Sequence, residues 1–308
     1  MTFNPFQERR VRVTVTVTRP DAQGNQEPDI YTFVEHRMRI AVSLGGAQYG
    51  NARVEIFGVP LDTMNQIARI WQDVLTPITS DTISIDVWNG QDYVPFYQGT
   101  IAYSYIDPEP MPFVPLVIEA NASYALMAEV MSPYSNAGPV KLSDVLTAIC
   151  TPAGFVVDYS ASTTDYVLTN VRLTGSAADQ IRAAIAQFPN LTYDVSLQRV
   201  QVRDSQISMF ADPVPVNAGN GMQKAPRYST SGITFTSLFN AQIRPGAALA
   251  IDTSIAYINR TQWIAAVVQH TLEPNYPNGA WSTAVAAQGY GKRDGTAVAP
   301  GTSTATAP

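Results

Sequence analysis

The sequence predicts a mainly β protein that carries a small α/β module, and three observations predict it. Val11, Val13, Val15 and Val17 alternate without a fault with Arg12, Thr14, Thr16 and Thr18, the period of a strand with one apolar and one polar face. Extended runs bounded by Pro, Gly, Asn and Asp then fill the first 123 residues, with one helical interruption. From Tyr124 the apolar spacing changes to three and four for a stretch before strands resume.

Taken in order, residues 19–29 hold the Pro, Gly and Asn of a hairpin connection into a second strand over 30–40, and 51–58 (NARVEIFG) is a third. Asp62 stands where it can cap a helix that places Met64, Ile67, Ala68, Trp71 and Leu75 on one face. Strands follow over 82–88, 93–105 and 114–120, with turn signals at Asn89-Gly90 and in the Pro-rich IDPEPMPFVP. Six strands joined by short loops suggest a small closed or split barrel.

In the middle region Leu142, Val145, Leu146 and Ile149 have helical spacing, and Pro152 and Gly154 stop that helix. Extended stretches over 155–159 and 166–173 follow. A second helix begins after Ser176, whose partner Asp179 completes a Ser-x-x-Asp capping box, and it buries Ile181, Ile185 and Phe188. Residues 191–197 and 199–202 read as a hairpin. Residues 204–232 are rich in Pro, Gly, Asn and Ser without sustained periodicity, a length of connection that is usually functional or held by a partner. Strands resume over 233–236, 247–251, 262–272 and 281–288. Four strands do not close a barrel, so strands from elsewhere are expected to complete it. A low-complexity tail, TAVAPGTSTATAP, ends the sequence and is expected, like 204–232, to be ordered by other chains.

Composition bounds the function. With 308 residues, 45% hydrophobic and only 14% charged, the chain can bury large cores and has the low surface charge of a protein covered by other proteins. The net charge is −6, and Arg9-Arg10 and Lys292-Arg293 are the adjacent basic pairs, far from the concentrated basic face of a sequence-independent nucleic-acid binder. One cysteine, Cys150, gives no disulfide framework and reads as a buried structural thiol. The N-terminal MTFNPFQERRVRV has no signal-peptide core and no run suits a membrane span, so synthesis in the cytoplasm is expected.

Chemistry is sparsely supplied. Two histidines, His36 and His270, and one cysteine do not make a transition-metal site by number or spacing, and G-x-S-x-G is absent. GNGMQK and GYGKRD lack the third glycine of a nucleotide fingerprint and read as turns. Two carboxylates could serve a wall-degrading enzyme, and Asp107 with Glu109 or Asp158 with Asp165 are the nearest pairs, but their polar, turn-like settings read as solvated loops. Trp71 and Trp263 fall on apolar faces, whereas Trp88 and Trp281 lie near turns as possible contact residues.

Three stretches carry a resemblance. SLFNAQIRPGAALAIDTS contains a strand leading through Arg244, Pro245 and Gly246 into another strand, with Ala247 and Ala248 where an acidic residue is common. VVQHTLEPNYPNGAWSTAVAAQ has His270 leaving one strand, a Pro/Asn/Gly turn, and Trp281 followed by Thr on the return. NARVEIFGVPLDTMNQI has a strand, a turn at Gly58 and a short helix. In this order they resemble the baseplate hub proteins of contractile phage tails and related injection systems.

That resemblance implies two tube-like split β-barrels plus an α/β insert. The expected division is a first tube-like barrel over 1–123, a small α/β domain over 124–204, a second tube-like barrel with a long loop over 205–291 and an extended C-terminal tail over 292–308. It also implies a structural, non-enzymatic subunit with no cofactor or metal. Three copies would form a ring adapting a six-fold tail tube to a three-fold central spike in the virion tail baseplate. Its partners would be the tube protein, the spike protein and other baseplate proteins, with DNA only as passing cargo and no membrane insertion. A reading from another class is a tail-associated peptidoglycan hydrolase or host-glycan-binding protein.

Overall fold

The structure, a computed structural model, describes residues 8–20, 26–45, 50–69, 80–128, 130–160, 166–205, 207–210 and 212–292. Its first element is β1 (Val11–Pro20), in which the alternation is realised: Val11, Val13, Val15 and Val17 are buried while Arg12, Thr14 and Thr16 turn to the other face. The stretch expected as one strand over 30–40 is two, β2 (Gln26–Phe33) and β3 (Arg37–Leu44). Buried Phe33 and Met38 are an odd number of residues apart, which a continuous strand cannot place on one face, and the bend at 34–36 resolves the conflict.

Then come β4 (Asn51–Phe57) and α1 (Leu61–Ile67). Asp62 does not cap this helix; Pro60 occupies the N-cap position at φ −58° and Asp62 lies in the first turn. Met64 and Ile67 are buried as expected, and Trp71 and Leu75 lie outside the described residues. The strands β5 (Thr82–Trp88), β6 (Tyr93–Ile106) and β7 (Pro115–Asn121) follow. All pair antiparallel in the order β3-β4-β7-β6-β5-β1-β2. Residues from both ends of this path, such as Val13 and Val15 of β1 and Ile40 and Val42 of β3, share one core, so the sheet is curled. Among the described residues no ladder joins β2 to β3, and the barrel is split there.

The middle region contains α2 (Tyr124–Ala128), β8 (Tyr134–Lys141), α3 (Leu142–Cys150), β9 (Val156–Tyr159), β10 (Val167–Leu173), α4 (Ala177–Ile185), β11 (Leu191–Ser196) and β12 (Arg199–Asp204). Helix α4 carries the capping box: Ser176 Oγ accepts from the Asp179 backbone N–H, and the Asp179 carboxylate accepts from Ser176 N–H at 3.2 Å. Strand β8 has no sequence signature because neither face is apolar throughout and Gly138 and Pro139 interrupt it. It pairs with β10, while β9, β12 and β11 make a second small sheet. Leu146, Ile149, Ile181 and Val200 from this module belong to the same continuous core as β1 and β3.

The last region has six strands where the sequence offers four: β13 (Val214–Val216), β14 (Arg227–Ser229), β15 (Gly232–Leu238), β16 (Ala248–Ile251), then α5 (Ala256–Asn259), β17 (Thr261–Leu272) and β18 (Trp281–Lys292). The added β13 and β14 come from 204–232 and are too short to show a period. Each pairs within the chain, β13 with β16 and β14 with β15. The glycines of GYGKRD, read as a turn, continue β18 to Lys292. The order β14-β15-β18-β17-β16-β13 encloses a second core of Val214, Phe235, Leu249, Trp263 and Val285.

The two curled sheets repeat one another. The paths β3-β4-β7-β6-β5 and β14-β15-β18-β17-β16 have the same order. Each long strand also bulges at one residue opposite its return strand, at Ala102 in β6 and at Ala266 in β17. The copies are fused because the C-terminal half of β17 pairs antiparallel with β3, from Val268 opposite Leu44 to Leu272 opposite Ile40. The result is one continuous 13-stranded sheet.

Val13 is fully buried in the first core. Val13→Asp is expected to cost on the order of 3 kcal/mol or more, because the carboxylate gains no partner there. Urea denaturation checks this, and a midpoint equal to that of the wild type would contradict the register of β1.

Candidate functional site

The sequence motifs converge on the fusion of the two sheets. His270 is the residue of β17 opposite Val42 of β3, and it is fully buried. Its Nδ1 lies 2.9 Å from Thr283 Oγ1 on β18, and that oxygen also accepts from the Asn240 backbone N–H at 3.2 Å. Phe96 of β6 stands edge-on to the imidazole at 4.9 Å, and Phe239 completes the cage at 5.3 Å. Trp281 packs on Phe239 at 5.4 Å. One aromatic cluster thus joins a strand of the first sheet to three segments of the second. Trp281, read as a possible contact residue, is instead part of this core at 5% exposure.

The imidazole is held neutral. Burial is the main cause that lowers its pKa to about 3, nearby Arg244 acts in the same direction, and hydrogen bonding to the Ile243 backbone opposes them. A group that refuses a proton until that acidity is no general base at neutral pH, so the histidine serves packing.

Arg244, Pro245 and Gly246 form the turn beside it. Arg244 Nε donates to the Ala241 carbonyl at 3.1 Å, and its guanidinium lies 5.9 Å from the Phe210 ring centre. Gly246 has φ +83°, and a Cβ there would lie 2.6 Å from Arg203 Nε. Glycine is therefore required on two grounds, the left-handed backbone and the arginine of β12 laid across it. Arg203 is itself buried and paired with Asp194 of the adjacent strand β11 at 3.3 Å, so a guanidinium anchored within the α/β module lies against Gly246 of the second region. Pro245 packs on Gly45 just past β3: a Cβ at Gly45 would meet the Ala266 carbonyl at the β17 bulge and the Pro245 ring. Gly58 is apart from this site, at the end of β4 with φ +80°, and a Cβ there would meet nothing within 4 Å.

The residues weighed for catalysis are dispersed. Cys150 is buried, and its thiol pKa is pushed up to about 12 by burial, so the thiolate nucleophile is not available. Asp158 is ion-paired with Arg199 at 2.9 Å, and Asp165 lies outside the described residues. Asp107 Oδ1 accepts the Glu109 backbone N–H at 3.0 Å, as a turn-forming acid does. His36 stands edge-on to Phe33 at 5.2 Å. Trp263 is buried as expected, Trp88 is half-buried against Tyr93 at 5.2 Å, and Trp71 is not described. Among the described residues no group of three His, Cys, Asp or Glu could hold a metal, and no helix is long and apolar enough to cross a membrane. Sequence reading missed Phe96 and Phe239, which look like ordinary strand aromatics; the β15–β18–β17 ladders bring Phe239 to His270, and the pairing of β17 with β3 brings Phe96.

The histidine makes the seam acid-sensitive. Its folded pKa lies below the ordinary 6.5, so between pH 6.5 and 3 the unfolded chain binds a proton that the folded chain refuses. Stability contributed by neutral His270 is present above 6.5 and is lost as pH falls, at up to about 1.4 kcal/mol per pH unit. Denaturation profiles of the wild type and His270→Gln should therefore diverge in this window, with the flatter profile belonging to the variant. Parallel profiles would contradict a buried neutral histidine.

No protein-family model matches this sequence, and no curated protein is significantly similar to it. Solved structures nevertheless share the fold. The 43 kDa tail protein of prophage MuSo2 from Shewanella oneidensis aligns at TM-score 0.55 and 8% identity over 89% of this chain and 95% of that one. A tail protein from Neisseria meningitidis MC58 aligns at TM-score 0.56 and 11% identity over 92% of this chain and 97% of that one. An E. coli component of the type VI secretion system, described as structurally similar to the T4 bacteriophage tail proteins gp27 and gp5, aligns at 0.56 and 8% identity over 83% and 74%. The chain therefore has the fold of these tail and secretion-system proteins, two fused curled sheets with an α/β module.

Proposed function

We propose that this chain is a structural subunit of a phage-type tail baseplate, a hub of which three copies form a ring between a six-fold tail tube and a three-fold central spike. The observation that carries the reading is the internal repeat within a fold shared with tail proteins. Two equivalent curled sheets per chain give six tube-like positions when three chains close a ring, and closed cyclic symmetry is the rule for stable homo-oligomers. In this proposal 1–123 and 205–291 are the two tube-like domains, 124–204 is the α/β domain and 292–308 is an extended tail. The tube protein, the spike protein and other baseplate proteins are its partners, and the virion tail is its location.

The exposed face of the fused sheet suits a channel that DNA passes without being held. Arg53 pairs with Glu119 at 2.7 Å and Glu55 at 3.2 Å, and Arg39 pairs with Glu273 at 3.5 Å and Glu55 at 3.8 Å. These pairs are half-exposed and add little stability. Their effect is to match each arginine with carboxylates, so the strip offers little for the counterion release that drives phosphate binding. Arg244, Pro245, Gly246, His270 and Trp281 act in this reading as the packed hinge-pin of the two domains.

Native mass spectrometry of the assembled tail complex should find three copies in the ring. Six copies would mean one tube position per chain and would overturn the adaptor reading. In the same preparation peptidoglycan should remain undigested; release of soluble fragments would favour the hydrolase reading instead.

A further inference from the structure

The fusion of the two sheets within one chain is a template for the contact between chains. Aligning the repeats on their bulges makes Ala102 equivalent to Ala266, so Tyr105, Ile106 and Asp107 of β6 and its exit correspond to Gln269, His270 and Thr271 of β17. The return strands carry the match onward: Ala41, Val42 and Ser43 of β3 correspond to Arg227, Tyr228 and Ser229 of β14. Within the chain, Gln269, His270 and Thr271 lie opposite Ser43, Val42 and Ala41. The equivalent edges, β14 and the end of β6, are not paired with each other in the chain.

We infer that in the ring β14 of one copy adds antiparallel to the C-terminal end of β6 of the next, with Tyr105 opposite Ser229, Ile106 opposite Tyr228 and Asp107 opposite Arg227. This rests on the ring reading proposed above.

Backbone geometry favours this register. Strand β5 covers one side of β6 only as far as Thr100, and beyond it, among the described residues, Arg69 forms a single bridge opposite Ser104. Asp107 N–H is given to Pro115 of β7 on the other side. Alternation along the strand therefore points the Ile106 N–H and C=O to the Arg69 side, past the end of β5. On the partner edge, the two-residue turn at Thr230-Ser231 makes Ser229–Gly232 and Arg227–Thr234 the hydrogen-bonded pairs of the hairpin, which turns the Tyr228 N–H and C=O outward. The two residues whose backbones point off their edges are the two that the template sets opposite each other.

Side chains agree. Tyr228 is 57% exposed, although its counterpart Val42 is fully buried at the seam. An aromatic left in water at a position that the repeat buries is what an unfilled interface presents. Arg227 is exposed, and the register sets it against Asp107, whose charge complements it. Seated head-to-tail, each copy gives β14 and receives a neighbour's β14, so the contact closes into a ring with no edge of this kind left over.

The test is the full-length Tyr105→Cys/Ser229→Cys double variant, assembled into tails and mildly oxidised. Opposed residues of a non-hydrogen-bonded antiparallel pair are about 4.5 Å apart at Cα, within disulfide range. Covalent dimers and trimers should appear on a non-reducing gel for the double variant and for neither single variant. A closed ring by native mass spectrometry without cross-links would overturn the strand pairing and leave the ring reading standing, whereas the absence of any wild-type ring would overturn both. A second pair guards against a folding defect: Asp107→Arg and Arg227→Asp should each lower ring yield roughly tenfold, and their combination should restore it. A combination that stays as low as the singles would overturn the inferred register.

Discussion

The antiparallel ladder between β3 and the C-terminal half of β17 is the interaction on which the architecture depends. Without it the chain would hold two split barrels on a string. With it, backbone hydrogen bonds run through a single sheet from β14 to β2, and the two halves share side chains as well as strands. Phe239, Leu272 and Trp281 of the second region belong to the continuous core of the first. His270 can sit at the centre of this packing because its Nδ1 finds Thr283 and its charge is suppressed. The Arg203 side chain laid against Gly246 and the close approach of Pro245 to Gly45 fasten the same junction from the side of the α/β module and from the end of β3.

Fusion by strand pairing has a consequence for what the molecule can become. A sheet that ends in open edges has unsatisfied backbone groups along them, and proteins either blunt such edges or use them. The far edge at β2 is blunted, with Glu27, Pro28 and Asp29 on an exposed strand. Strand β14 at the other end is short, exposed and followed by a tight turn, and it carries an aromatic rather than a charge at its centre. The two ends are therefore chemically unlike, and this asymmetry favours head-to-tail contacts over self-pairing of like edges.

Much of this was legible in the sequence wherever one face of an element is apolar. The valines of β1, the stripe of α3 and the Ser176–Asp179 box of α4 each specify local structure through spacing alone, and the structure has them where spacing puts them. Elements without an apolar face were not legible. Strand β8 has alternating exposure without buried side chains, and β13 and β14 have three residues each, too few to show a period. Residues 204–232 read as a loop for that reason. The motif around Arg244, His270 and Trp281 was visible as a pattern, but its role was not, because His270 meets Phe96 only through a pairing between strands more than two hundred residues apart in sequence. Long-range register of this kind leaves no local trace.

The central claim is that the seam makes the two curled sheets one cooperative body. Native-state hydrogen exchange resolved along β3, β17 and the two cores tests it most directly. The account predicts that amides of Ile40–Leu44 and Val268–Leu272 exchange with the same free energy as those of β1 and β15, all through one global opening. Faster exchange at the seam, with the two cores opening independently at different denaturant concentrations, would contradict it.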